Sequence, residues 1–374
     1  MPSTDTLKYS LTILSPKQNC SFFSRFEASP RTVWIPKVDS LSMQRRTSAK
    51  RRTKRGLGPA RDFSGYGANP PHARWPGNAR IAVNFNLNVE AGGEHSILEH
   101  DLHSEDLLTD IGFGAYKGKR SPMVESVFEY GPRIGCWRLL RIFKRFDIKI
   151  SVLGVVRGLQ NYPDVVRAFL EEGHELVSHG WRWIDYQDVT EKVEREHVRL
   201  AVAGLKKLAG EAPVGWFSGR PSVNTRRLLV EHGGFLYDRD YLGDELPFWM
   251  RIGARHHLVI PYSLETNDNR FDSNSGFSTA DQFAQYMMDC FDVLYEEGAE
   301  RPKVMSVALH DRLIARPGRV AGLIKLIEHA RRHESVWFCT GRDIAEHWYR
   351  EHPPADHEPN DMKNTRDRGE CNGR

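Results

Sequence analysis

Short apolar runs and amphipathic periods alternate along the chain from about residue 80 to residue 340. An apolar run of about four to eight residues between turn residues is typical of a buried strand, and apolar residues about three and four positions apart are typical of an amphipathic helix. The pattern predicts strands over 80–89, 149–155, 173–178, 214–217, 258–262, 304–309 and 336–339. It predicts helices over 137–146, 163–172, 189–208, 225–232, 279–297 and 323–332.

Strands and helices that alternate in this way predict an α/β fold with a parallel sheet. About seven such units favour closure of the sheet into a barrel over an open sheet. No glycine-rich phosphate-binding motif follows a predicted strand, so nucleotide binding has no support in the sequence.

Basic residues are concentrated near the N-terminus. Residues 1–60 contain twelve Lys and Arg against three Asp and Glu, which leaves 41 basic and 46 acidic residues for 61–374. We expect residues 1–56 to be a disordered basic extension, residues 57–352 to form one barrel domain and residues 353–374 to be a disordered tail. The mildly acidic body argues against a nucleic-acid-binding surface.

Cysteine usage and hydropathy bear on the cellular compartment. Five scattered cysteines without a CxxC pair are typical of reduced thiols inside a cell. No run of about 18 apolar residues is present, so we expect no membrane span and a cytoplasmic location.

Polar residues follow several predicted strands, and in a barrel the carboxyl ends of the strands converge. Glu90 follows the first strand, His179 follows strand 173–178, and His310 follows strand 304–309. Further candidates at such ends are Glu94, Arg220 with Pro221, and Asp244 in an acidic loop. Each also has an ordinary structural explanation, which is a solvated loop for the acids, a hydrogen bond for the histidines and an ion pair for the arginine.

The residues after His179 bear on metal binding. A hydrolytic metal site usually has a second imidazole about one helical turn after the first, and Trp183 stands at that position. An indole is a hydrogen-bond donor only and cannot replace that ligand. The pattern indicates a metallohydrolase scaffold that lacks its metal but keeps other parts of its site.

Six phrases of the sequence resemble the polysaccharide deacetylase superfamily, and within it the metal-independent allantoinases of purine breakdown. They are distributed from about residue 62 to residue 352. The phrases lie at 65–71, 90–94, 130–138, 178–186, 237–247 and 310–319. The resemblance implies an irregular (β/α)7 barrel of the polysaccharide deacetylase type.

The resemblance also implies which metal ligands are missing. Most members of the superfamily bind zinc or a similar metal through one Asp and two His, beside an Asp that acts as the base. In this chain Glu90 stands at the base position, Ala91 at the metal-binding Asp and Trp183 at the second His. We therefore expect neither a metal ion nor another cofactor. The related allantoinases often have a second Glu where this chain has Ala91.

The resemblance divides the candidate residues between catalysis and binding. It implies Glu90 as the general base, with a pKa raised by burial, and His310 as the acid that protonates the departing ring nitrogen. Arg220 and His179 are expected to stabilise the carbonyl oxygen. The expected substrate-binding residues are Trp183, Glu94, Asp244 and Pro221.

The function expected from these residues is hydrolysis of a small cyclic amide, (S)-allantoin to allantoate. Two alternatives stay open. One is a metal-dependent polysaccharide or chitin-type N-deacetylase, and the other is a non-catalytic binding protein, which Ala91 favours. The resemblance implies a homo-oligomer, in particular a tetramer, with a small-molecule substrate and with neither nucleic acid nor membrane as a partner.

Overall fold

The computed structural model describes residues 58–112, 114–273 and 276–354. The extension predicted over 1–56, and the predicted tail from residue 355 onward, lie outside the described residues. None of the helices in the described ranges is long and apolar enough to cross a membrane.

The described residues form one sheet of nine strands. In chain order the strands are β1 (Ile81–Val89), β2 (Ser151–Gly154), β3 (Glu175–Ser178), β4 (Gly215–Trp216), β5 (Tyr237–Asp238), β6 (Phe248–Ile252), β7 (Arg255–Val259), β8 (Lys303–His310) and β9 (Val336–Phe338). Across the sheet the order is β6-β7-β5-β4-β3-β2-β1-β8, and β9 pairs with β1. Neighbouring strands are parallel except for β6 with β7.

The sheet is a curled half-barrel. A single parallel bridge between Asn267 and Ala308 connects the segment after β7 to β8, at the place where the two ends of the sheet approach each other. The α/β class predicted from the sequence is therefore confirmed, and the curled sheet is consistent with a deacetylase-type (β/α)7 barrel.

Helices separate most of the strands. They are α1 (Pro122–Tyr130), α2 (Cys136–Arg145), α3 (Val156–Leu159), α4 (Pro163–Glu171), α5 (Glu191–Ala209), α6 (Thr225–His232), α7 (Ala280–Glu297), α8 (Pro317–Ala330) and α9 (Gly341–Glu351). A π-helical turn, Gly131–Gly135, joins α1 to α2. The longest helix, α5, begins where the Thr190 side chain accepts a hydrogen bond from the Val193 amide and ends at Gly210 in the left-handed conformation, φ 82°.

Strand β1 is buried along its whole length, and its two faces differ in chemistry. One face presents apolar residues to the helices, among them Phe85 and Leu87. The other face carries Asn84, Asn86 and Asn88, which point into the barrel. The Asn88 amide donates to the Tyr262 hydroxyl at 2.8 Å, and the Asn86 amide donates to Ser306 Oγ at 3.2 Å. The interior of the barrel is therefore polar.

The pairing register aligns the carboxyl ends of the central strands. Val89 pairs with Gly154, Gly154 with Ser178, and Ser178 with Trp216. On the other side of β1, Asn88 pairs with His310. The residues that immediately follow these strands are therefore brought to one edge of the sheet.

The structure corrects several element predictions. The segment 237–249, for which no strand was predicted, contains β5 and the start of β6. Helix α8 begins at Pro317, six residues before the predicted start at 323, because a proline at the first helical position leaves no unsatisfied amide there. Helices α1 and α9 were not predicted from the sequence.

Candidate active site

Three predicted site residues meet at the carboxyl edge of the sheet. Glu90 follows β1, His179 follows β3, and His310 is the last residue of β8. The Nε2 atoms of His179 and His310 lie 3.1 Å and 3.8 Å from the same oxygen, Oε1 of Glu90. All three side chains are buried, and Glu90 is only 1% exposed to solvent.

Arg312 binds the other carboxylate oxygen of Glu90. Its Nη1 donates to Glu90 Oε2 at 2.6 Å, and its Nε donates to the Leu108 carbonyl at 3.0 Å. The guanidinium carbon lies 4.1 Å from the ring centroid of Phe128, so the cation is fixed from two sides. Arg312 is fully buried, and the ion pair is therefore shielded from solvent.

The charges around Glu90 set its protonation state. Burial alone would raise the pKa of Glu90, but the cationic Arg312 and His310 and the hydrogen bond from His179 hold that pKa well below its usual range. Glu90 is therefore ionised at neutral pH. The expectation that burial raises its pKa was wrong, because Arg312, His310 and His179 together outweigh desolvation.

Asp268 orients His310 and favours its charged form. Its Oδ1 lies 2.6 Å from Nδ1 of His310, and its Oδ2 accepts hydrogen bonds from the backbone amides of His310 and Ile314 at 2.8 and 3.0 Å. Burial lowers the pKa of His310, but Asp268 and Glu90 together raise it above its ordinary value. Nε2 of His310 faces Glu90, and in the charged ring that Asp268 favours this atom can act as a proton donor.

His179 is held by a backbone carbonyl. Its Nδ1 lies 3.1 Å from the Phe217 oxygen, and a carbonyl only accepts, so Nδ1 carries a proton. Nε2 is then the atom that faces Glu90. The ring orientation is fixed by this pair of contacts.

Trp183 lies between two guanidinium groups. The Arg220 guanidinium carbon is 3.9 Å from the Trp183 ring, and that of Arg312 is 5.4 Å away. Nη2 of Arg220 is 3.6 Å from Glu105 Oε2 and has no hydrogen-bond partner among the described residues, although it is buried. The structure therefore brings Arg220 and Trp183 to the same site as Arg312, with Nη2 of Arg220 in an ion pair with Glu105 but in no hydrogen bond among the described residues.

The donor set does not fit the metal ion that the superfamily usually binds. Ala91 and Trp183 belong to one small apolar cluster with Phe128, so the two missing ligand positions are filled by hydrophobic packing. The remaining carboxylate, Glu90, already has a buried cation at hydrogen-bond distance in Arg312. A divalent ion at this place would lose its water shell beside the Arg312 guanidinium, and the remaining side chains offer too few ligands to compensate for that loss.

Glu94 is a buried acid close to this cluster. It is 7% exposed, and its Oε2 has no hydrogen-bond partner among the described residues. Burial raises the pKa of Glu94 to about 7, with Arg312 opposing the shift and Glu105 adding to it. Its position excludes the alternative of a solvated loop acid.

Asp244 and Pro221 make no hydrogen bond or ion pair with the Glu90 cluster within the described residues. Asp244 Oδ1 accepts hydrogen bonds from the amides of Glu245 and Leu246, at 2.7 and 3.1 Å. Asp244 lines a separate cleft with Tyr66 and Ser263. Pro221 is half-buried and follows Arg220, so its part in the site stays a prediction.

Arg312 and Asp268 were not predicted as site residues. Arg312 stands two positions after His310, directly after an apolar strand, and this placement was a usable signal. Asp268 belongs to the short 3-10 helix Asp268–Asp272 in a polar connection, and nothing in the local sequence pairs it with a residue 42 positions away. Only the crossing of this connection beside β8 reveals the pair.

A buried carboxylate with imidazole and guanidinium partners can perform acid–base chemistry, and it lies at the carboxyl ends of the strands, where α/β barrels have their active sites. The profile described as polysaccharide deacetylase matches residues 116–233. A Schizosaccharomyces pombe protein named putative polysaccharide deacetylase is 39% identical over 313 residues, which cover 78% of this chain and 98% of that protein. The chain belongs to the polysaccharide deacetylase family of hydrolases.

Other relatives and solved structures agree with this assignment. The Helicobacter pylori peptidoglycan deacetylase is 26% identical over 274 residues, covering 64% of this chain and 92% of that protein. The probable polysaccharide deacetylase of Pseudomonas aeruginosa PAO1 is 51% identical, with a TM-score of 0.77 and coverage of 79% of this chain and 99% of that chain. PuuE allantoinase is 50% identical, with a TM-score of 0.78 and coverage of 80% and 100%. The resemblance stated from the sequence is confirmed at the level of fold and family.

Proposed function

We propose that this protein hydrolyses a cyclic amide, (S)-allantoin, to allantoate without a metal ion. The observation that carries the proposal is the Arg312–Glu90 ion pair beside Trp183, which gives the buried carboxylate a fixed cationic partner instead of a metal ion. Similarity to PuuE allantoinase, at 50% identity over 100% of that chain, supports the same substrate.

The proposed substrate suits the groups at this edge of the sheet. The ring of allantoin is small and flat, with N–H donors and carbonyl acceptors. Nη2 of Arg220, which pairs with Glu105 but makes no hydrogen bond among the described residues, and the face of Trp183 supply a donor and an apolar surface for such a ring. Oxyanion stabilisation by a fixed donor of this kind is worth about 3–4 kcal/mol in the barrier.

The proton transfers follow from the charges in the site. As water attacks the ring carbonyl, Nε2 of His310 passes its proton to the ring nitrogen, Glu90 takes the proton of the water, and the C–N bond breaks. Glu90 is a weak base while both Arg312 and a charged His310 face it. When His310 releases its proton, one positive charge near Glu90 disappears and the proton affinity of Glu90 increases. Glu90 then returns a proton to His310 to restore the resting state.

The test is allantoin turnover by chelator-treated protein, with allantoate measured as the product. We expect the same rate before and after chelation, and a loss of most activity in Glu90→Gln. The matched control is Glu99→Gln, because Glu99 pairs with Arg157 and makes no contact with Glu90 among the described residues. Equal turnover by Glu90→Gln and the parent would overturn the mechanism.

A second candidate function is N-deacetylation of a polysaccharide, which the names of the S. pombe and H. pylori relatives favour. It is tested in parallel by measuring acetate release from N-acetylated chitin oligosaccharides with and without added Zn²⁺. Acetate release that requires Zn²⁺, with no allantoate formed, would replace the proposed function by this one.

A further inference from the structure

Two histidines and an aspartate form a cluster that the proposed reaction does not use. Asp292 lies on α7, His329 in the last turn of α8, and His333 three residues beyond the end of α8. The Nε2 atoms of His329 and His333 are 2.6 and 3.9 Å from Oδ1 of Asp292, and one ligand atom from each residue lies within 4.8 Å of the others. We propose that these residues bind a divalent transition-metal ion of the Zn²⁺ type.

The orientation of His333 leaves a lone pair for a metal ion. Its Nδ1 lies 3.0 Å from the backbone carbonyl of His329, and since a carbonyl only accepts, Nδ1 holds the proton. Nε2 is then unprotonated in the neutral ring and faces Asp292. A hydrogen bond from the distal ring nitrogen to a carbonyl is the usual support of a metal-binding histidine.

Aromatic rings hold the two imidazoles in place. The Phe291 centroid is 5.5 Å from that of His329 and 5.0 Å from that of His333. Tyr295 packs on His333 at 5.0 Å from the other side. The side chain of Asp292 is 51% exposed, so one flank of the cluster is open to water that could complete the coordination of an ion.

The types of donor select the class of metal. Two imidazole nitrogens and one carboxylate oxygen suit Zn²⁺, Ni²⁺ or Cu²⁺ rather than Mg²⁺ or Ca²⁺, which prefer oxygen ligands. Without an ion, the 2.6 Å contact between His329 and Asp292 is a hydrogen bond. To bind an ion, the two side chains would change rotamer and move apart, so that each ligand atom could lie about 2.0–2.2 Å from the metal. His329 lies in the last turn of α8 and His333 in the turn that follows it, so the backbone at the end of the helix brings both imidazoles to Asp292.

The cluster lies at the end of the barrel opposite the Glu90 cluster. His333 precedes β9, and the neighbouring Ser335 accepts a hydrogen bond at its carbonyl from the Arg80 amide, just before β1. These are the amino ends of the strands, whereas Glu90 follows the carboxyl end of β1. A metal ion here would link α7 to α8 and stabilise the helix pair without entering the reaction.

The test is Zn²⁺ binding to the full, chelator-treated chain, measured by calorimetry and by the absorption of bound Co²⁺. We expect His333→Gln and Asp292→Asn each to bind at least about tenfold more weakly than the parent. The melting temperature should rise with Zn²⁺ in the parent and not in these variants. The matched control is His232→Gln, since His232 also bonds a carbonyl through Nδ1 and packs on Phe235, but has no carboxylate partner among the described residues.

Two comparisons separate this site from the Glu90 cluster. Glu90→Gln should keep the Zn²⁺ affinity and stoichiometry of the parent, and His333→Gln should keep the parent rate on allantoin. Equal Zn²⁺ affinity in the parent, His333→Gln and Asp292→Asn would overturn the proposal, as would a loss of binding only in Glu90→Gln. Neither result depends on whether allantoin is the substrate.

Discussion

The charge on a single side chain in this site depends on which residues face it. Glu90 and Glu94 are both buried glutamates a few positions apart, yet the pKa of Glu90 is held low and that of Glu94 is raised to about 7. Glu90 has Arg312 at 2.6 Å and His179 at 3.1 Å, whereas Glu94 has one carboxylate oxygen without a partner among the described residues. Desolvation therefore decides the shift at Glu94, where it exceeds the opposing effect of Arg312, and not at Glu90, where Arg312 and two histidines together outweigh it.

The first prediction concerns Glu94 and pH. A carboxyl group with a raised folded-state pKa contributes its full stability below the unfolded pKa and loses it as the pH rises through about 7. The difference between the two pKa values corresponds to about 3 kcal/mol at high pH. Glu94→Gln should therefore raise the free energy of unfolding by up to about that amount at pH 8 and change it little at pH 4, as measured by urea denaturation.

The control for this prediction is Glu99→Gln, which removes a partly exposed acid that is paired with Arg157. Both oxygens of the Glu99 carboxylate accept hydrogen bonds from Arg157, so removing this acid should not stabilise the protein. If Glu94→Gln changes the free energy of unfolding equally at both pH values, the pKa of Glu94 is not raised in the folded protein.

The second prediction concerns the pair of Asp268 and His310. Asp268 raises the pKa of His310, so in Asp268→Asn that pKa should fall, and with it the alkaline limb of the kcat/KM profile should move to lower pH. The contribution of the pair to stability is present below the unfolded pKa of His310 and is lost as the pH rises through the folded value. Allantoin turnover as a function of pH checks the first effect.

A purely structural Asp268 would give a different result. Its loss would then lower the rate equally at every pH, without displacement of the alkaline limb. Asp272→Asn is the matched control, since Asp272 lies in the same short helix and accepts a hydrogen bond from the Asp110 amide instead.

At the residue scale, the sequence identified three site residues that follow strands, but it did not identify Asp268, which lies in a connection. Glu90, His179 and His310 could be predicted to meet because each follows a predicted strand and strand ends converge. Asp268 could not, because its position depends on how the connection after β7 crosses to β8. Long-range pairing of this kind leaves no local periodicity.

At the scale of elements, the segment between α1 and α2 is shaped by Asp311. The π-helical turn Gly131–Gly135 packs directly against this residue, and Cys136 Sγ lies 3.5 Å from Asp311 Oδ2. A Cβ added at Gly135 would stand 2.0 Å from the Asp311 carbonyl oxygen. The two glycines therefore allow the helix to approach the residue that follows His310, the proposed proton donor.

The third prediction tests this close approach. Gly135→Ala should lower the free energy of unfolding by about 1–3 kcal/mol or more, because neither backbone can move away without disturbing β8. Gly318→Ala is the control, since its added Cβ meets nothing within 4 Å in the first turn of α8 and should be neutral or stabilising. Thermal or urea unfolding of both variants provides the measurement. Equal stability of the two would show that the turn is not tightly packed.

The elements that sequence analysis missed are of two kinds. Helix α9 had a signal, because Thr340 and Asp343 form a capping box and Ile344 and Trp348 lie four positions apart on its buried face. Strand β5 had none, because Tyr237–Asp238 is only two residues long and its polar Asp238 is satisfied by Arg226 from α6. A strand this short is defined by its neighbours in the sheet rather than by its own residues.

At the scale of the whole molecule, the family fold has been kept while one end of the barrel has changed its chemistry. The positions where the superfamily is expected to hold a metal are occupied by Ala91 and Trp183, which pack with Phe128 in an apolar cluster. Arg312 supplies positive charge to Glu90 instead. Replacing the missing ligands alone should therefore fail to restore a metal site.

The fourth prediction is the outcome of that replacement. In Ala91→Asp/Trp183→His, a second carboxylate enters a buried apolar cluster and an aromatic contact of Arg312 is lost, so the free energy of unfolding should fall by several kcal/mol. Added Zn²⁺ should not restore it, because the guanidinium of Arg312 repels a divalent ion from Glu90.

The triple variant that adds Arg312→Met removes this cation and should recover both Zn²⁺ binding and stability. Calorimetric titration is best made in a His333→Gln background, so that binding at the α7–α8 cluster does not contribute. Tight Zn²⁺ binding by the double variant with Arg312 intact would show that the guanidinium does not take the place of the metal ion.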